Sequence, residues 1–90
     1  MTDFSKVFSK LLEETEVSCY RIAEYTGLDQ AYLSRLKNGE RSNPSPETVV
    51  RISLALAYLS KKVKQPDIEQ LFNSVGRSLF RNRARFSRYG

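Results

Sequence analysis

Apolar side chains in this sequence recur at every third or fourth position and nowhere alternate, which is a helical pattern throughout. Phe4, Val7, Phe8, Leu11 and Leu12 fall on one face and predict an amphipathic helix from Asp3 to about Glu14, capped by Thr2 or Asp3. Ser18 is the expected N-cap of a second, two-turn helix that turns Ile22, Ala23 and Thr26 inward and stops at Gly27. Asp29 then caps a third helix, Gln30 to about Lys37, with Leu33 and Leu36 inward and Asn38-Gly39 as its stop. Residues 40–44 carry no periodicity and read as an exposed loop. Ser45-Pro46-Glu47 combines an N-cap, a proline in the first turn and an early acid. The fourth helix that starts there carries Val49, Ile52, Leu56 and Leu59, with Ala55 and Val50 beside them, and should be the central core element, ending near residues 60–62. Gln65 precedes a proline and is biased out of the α region, so Asp67 to Gln70 is read as a capping box. It opens a fifth helix through Ile68, Leu71, Phe72, Val75 and Leu79 to about Phe80. The fold class is all-α, a five-helix bundle with a basic C-terminal tail.

The 90 residues are 40% hydrophobic, enough for one compact core and too few for two. One domain over residues 1–76 and a tail over 77–90 is the expected division. With no histidine and one cysteine the chain has neither an internal disulfide nor the ligands of a Cys/His zinc cage, and no cofactor, metal or enzyme chemistry is expected. Glu13, Glu14 and Glu16 read as a solvated acidic face with no general-base partner. No apolar run is long enough to span a bilayer, and the first residues mix charge with apolar side chains, unlike a signal peptide. A soluble, cytoplasmic protein is expected.

The net charge of +5 points toward polyanions, but it is unevenly placed. Residues 1–60 hold 7 basic and 8 acidic side chains, whereas residues 61–90 hold 8 basic and 2 acidic ones. Arg77, Arg81, Arg83, Arg85 and Arg88 stand in the tail with Phe80 and Phe86 between them. An ordered extension of helix five, an arm that folds on nucleic acid and adds phosphate contacts, and a segment that docks on a protein all remain open for it.

Two short helices about a glycine turn suggest a helix-turn-helix, whose second helix enters the major groove while the first crosses the backbone. From Cys19 to Asn38, the positions that must be apolar are Ile22, Leu28, Leu33 and Leu36, small Ala23 permits the close crossing, and Thr26 is the weak member. The run through Tyr32-Leu33-Ser34-Arg35, Gly39, Arg41 and Asn43-Pro44-Ser45 extends the pattern, and roughly residues 4–60 resemble the lambda-repressor-like, Cro/XRE-type helix-turn-helix family. That resemblance implies a DNA-binding transcriptional regulator, typically a dimer on a palindromic operator.

The resemblance places Gln30, Ala31, Ser34 and Arg35 toward base edges. Glutamine suits adenine, arginine suits guanine, and an alanine methyl packs on thymine. Ser18, Cys19, Tyr20 and Arg21 at the start of helix two, with Lys37, Asn38, Arg41 and Ser42 around the following loop, fall near phosphates. Tyr32 is expected to pack rather than read bases. Many relatives carry glutamine where Cys19 stands, and an acid at the positions of Arg21 and Lys37, so the DNA face here is more basic than is usual. Cys19 has two readings, an oxidant-sensing thiol of lowered pKa or a partly buried bystander, the second being the commoner case.

Leu71, Phe72, Val75 and Leu79 exceed what a small bundle covers and are candidates for a homodimer interface. The expected partners are double-stranded DNA and a second copy of the chain, with a repressor as the leading function. The alternative is an antitoxin-type interaction protein that controls its own promoter and binds a protein partner through helix five or the tail.

Overall fold

The structure, a computed structural model, describes residues 3–41 and 43–75. Five helices follow in order: α1 (Asp3–Thr15), α2 (Cys19–Thr26), α3 (Gln30–Asn38), α4 (Pro46–Leu59) and α5 (Gln65–Val75). There is no strand among the described residues. The local signals act as the sequence predicts. Ser18, Asp29 and Ser45 cap α2, α3 and α4, accepting from the N–H groups of Arg21, Ala31 and Thr48 respectively. Gly27 and Gly39 end α2 and α3 at φ of 79° and 85°, the left-handed conformation that glycine adopts without steric cost.

One core joins the helices. Phe4, Phe8, Leu11 and Leu12 of α1 meet Ile22, Leu33 and Leu36 of the motif and Val49, Ile52, Ala55 and Leu56 of α4, with Leu71 from α5. Phe4 and Phe8 lie with ring centroids 5.4 Å apart in its middle. α1 packs on α3 and α5, α2 on α3 and α4, and α4 on α5. The short helices α2 and α3 are thus held between longer ones, because eight or nine residues cannot sustain a helix in water alone.

Four details depart from the sequence reading. α5 begins at Gln65, two residues before the expected cap: the Asp67 carboxylate accepts from the Lys64 N–H at 2.9 Å, so Asp67 works from inside the first turn rather than as the cap itself. Pro66 falls in that first turn, where its missing N–H costs nothing. Pro44, read as part of an exposed loop, is buried, while Val50, read as flanking the core stripe, is exposed on the far side of α4. Val17 is buried between α1 and α2, where Glu16 at φ 59° turns the chain sharply enough to bring it inward. Thr2, Ser42, Leu79, Phe80 and the tail arginines Arg77, Arg81, Arg83, Arg85 and Arg88 lie outside the described residues.

Candidate nucleic-acid interface

The turn between α2 and α3 is locked from both sides. Ile22, Leu33 and Leu36 are fully buried and pin the two helices to the core, with Ala23 and Leu28 partly buried beside them. Thr26, the weak member of the apolar pattern, has a hydroxyl that donates to the Ile22 carbonyl at 2.7 Å and accepts from the Leu28 N–H at 3.1 Å. A larger aliphatic residue would fill space there, whereas threonine satisfies one polar group on each side of the turn.

Between the start of α2 and the outward face of α3 runs a groove of about 450 Å³. It brings together Ser18, Cys19, Tyr20, Gln30, Ser34, Lys37 and Asn38, all expected near DNA, although five lie on one helix and three on another segment's turn and first residues only in projection of the sequence. Arg21, Ala31, Arg35 and Arg41 are exposed and stand outside this groove. Ser42 lies outside the described residues. Ser9, Leu12 and Glu13 of α1 form the groove's remaining wall together with Val17. Neither Ser9 nor Glu13 was legible as a site residue, because only the packing of α1 on α3 carries them there.

The carboxyl end of α3 is well anchored. Ser9 Oγ donates to the Lys37 carbonyl at 2.8 Å, and the N–H groups of Glu40 and Arg41 both return to the Arg35 carbonyl, at 2.9 and 3.1 Å. The Arg41 guanidinium lies 6.0 Å from the centre of the Tyr32 ring, at the outer reach of a cation–π contact. Tyr32 is half-buried and packs on the core, as its packing role required. The Ser18 hydroxyl still caps α2 through the Arg21 N–H at 3.2 Å, so arginine in place of an acid removes only the return half of a capping box.

Burial pushes the Cys19 thiol above its ordinary pKa, while the Lys37 ammonium and a hydrogen bond with Ser34 pull less strongly the other way. The protonated bystander, packed against the core, is therefore the form this structure supports, and the lowered-pKa sensor is not. Leu71 also needs correction as an interface residue. It is fully buried in its own core, and Phe72 and Val75 are partly buried against the same core, so the α5 stripe is largely spent within one copy of the chain. No cluster of metal-ligating side chains occurs among the described residues, and no helix among them is long and apolar enough to cross a membrane.

Residues 20–60 match the helix-turn-helix family. The chain carries a helix-turn-helix domain of the Cro/XRE type, in an all-α setting of five helices. Over 56 residues it is 34% identical to the HTH-type transcriptional repressor RghR of Bacillus subtilis (strain 168), covering 62% of this chain and 42% of that protein. Over 56 residues it is 27% identical to the uncharacterized HTH-type transcriptional regulator RghRB of the same strain, covering 62% of this chain and 40% of that protein. The chain thus aligns with well under half the length of these relatives, which are named as regulators and not as enzymes. No solved structure gives a significant match.

Proposed function

We propose that this chain is a sequence-specific DNA-binding transcriptional regulator, acting as a repressor that binds a palindromic operator as a homodimer. The observation that carries the reading is the groove that joins the amino end of α2 to the exposed face of α3. First-turn N–H groups of a helix have no intrahelical partner and sit at its positive pole, so a phosphate is accommodated beside Ser18 to Tyr20 with Lys37 and Asn38 opposite. Exposed Gln30, Ala31 and Arg35, with half-buried Ser34, present hydrogen-bonding and methyl groups to base edges. Arg41, positioned by Tyr32, meets the backbone beyond α3. The arginines of residues 77–90 add phosphate contacts and steepen the salt dependence.

Selection of bound sequences from a random duplex pool, at two salt concentrations, tests this. The expected result is a palindrome with half-sites about one helical turn apart. Arg35→Ala should then cost about 1–3 kcal/mol and relax preference at one base pair. An Arg35→Ala protein that treats the selected operator and random DNA as the wild type does would overturn the assignment. Enrichment of no sequence, with binding lost at the higher salt, would move the function to the tail.

A further inference from the structure

Four of the five large hydrophobic side chains exposed among the described residues belong to one patch. Val50, Leu54 and Tyr58 follow each other at four-residue intervals along α4 and are 43%, 58% and 73% exposed. Tyr25, 47% exposed at the end of α2, stacks on Tyr58 with ring centroids 4.8 Å apart. α4 is therefore apolar on both sides. Its inner face fills the core, and its outer face forms a continuous apolar strip, of the kind that soluble proteins reserve for contacts.

The ends of the strip are charged and opposite in sign. Glu47, Leu54 and Lys61 are seven residues apart in sequence, so they fall along the strip with the leucine at its centre, and all three are exposed. An antiparallel partner helix of the same sequence, turned about an axis through Leu54, sets Leu54 against itself. It brings Val50 opposite Tyr58, and Glu47 opposite Lys61. The strip is self-complementary in shape of pattern and in charge, as an isologous contact requires. No residue of the strip lines the groove of α2 and α3, which stays open in both copies.

We infer that two copies of this chain associate through the outer face of α4, antiparallel about Leu54, with Tyr25 widening the contact. This deepens the dimer reading given above and replaces α5, whose Leu71 is spent in the core, as the pairing surface. The measurement is sedimentation equilibrium of the full chain without DNA, so its failure leaves the DNA-recognition reading standing, and a failed operator selection leaves this one standing.

The wild type should sediment as a dimer and Leu54→Glu as a monomer. Because Leu54 lies outside the core, the variant should keep the helical circular dichroism and melting cooperativity of the wild type. Glu47→Lys and Lys61→Glu should each weaken association, by about fivefold for exposed charges. The double variant Glu47→Lys/Lys61→Glu should restore it, which no other register does. A wild type that stays monomeric at every concentration would overturn the inference, as it would if the tail covered the strip within one chain. A folded Leu54→Glu protein that dimerises as tightly as the wild type would overturn it equally and return the interface to α5 or the tail.

Discussion

The Ser9 hydroxyl of α1 donates a 2.8 Å hydrogen bond to the backbone carbonyl of Lys37, in the last turn of α3. Carbonyls in the last turn of a helix have no intrahelical partner, and here one of them is used to set the recognition helix against the scaffold. Ser9→Ala should lower stability by about 0.5–1 kcal/mol, the modest value of an exposed bond. It should also weaken operator binding, since Lys37 and Asn38 form one wall of the groove. Thermal melts and an operator titration check both parts, and a variant unchanged in each would show the bond to be incidental.

Ser53 Oγ of α4 is buried with no hydrogen-bond partner. A buried hydroxyl left unsatisfied costs free energy that alanine of nearly the same volume does not. Ser53→Ala should therefore stabilise the fold by about 1 kcal/mol, raising the melting temperature by roughly 4–8 °C for a domain of this size. A lower melting temperature would show that the hydroxyl is satisfied in solution.

Cys19 makes the stability depend on pH in the alkaline range. Its thiol is held above its ordinary pKa by burial, so the folded chain keeps the proton at a pH where the unfolded chain has already lost it. The unfolded state binds fewer protons there, and stability falls as pH rises past the ordinary thiol value. Cys19→Ser should flatten this part of the stability profile. Alkylation of Cys19 by iodoacetamide should be slower in the folded protein than in urea at the same pH, and equal rates would contradict the burial.

Glu13 contributes the groove's one carboxylate, among residues proposed to meet phosphates. Glu13→Gln removes a like-charge interaction with bound DNA and should raise affinity by a few-fold at low salt, with the gain shrinking as salt screens it. Affinity unchanged at low salt would place the phosphates away from α1.

The elements were legible where a single residue type has one physical reason for its place. Ser18, Asp29 and Ser45 cap, and Gly27 turns, without help from distant parts of the chain. The start of α5 was misread because Asp67 serves a capping geometry equally well from either side of a proline, and only the Lys64 N–H decides between them. Pattern alone also could not orient α4. With Val49, Val50, Ile52, Leu54, Ala55 and Leu56 in close succession, its two faces differ little in hydrophobicity, and the packing of α2 and α5 determines which one is buried. The same holds for the groove. Its α2 and α3 walls follow from the motif, whereas Ser9 and Glu13 enter through a contact 28 residues apart in sequence, as the Ser9 bond to Lys37 shows.

The match to the helix-turn-helix family stops at residue 60, yet Leu71 beyond it belongs to the same core as Phe4 and Ile52. What this chain shares with its relatives is therefore shorter than the unit that melts cooperatively. A fragment trimmed at residue 60 would retain both helices of the motif and every base-facing side chain, but it would leave α1 bare where α5 had covered it. Such a fragment should bind hydrophobic dyes and melt broadly, so domain boundaries taken from homology alone would give a poor sample for measuring DNA affinity.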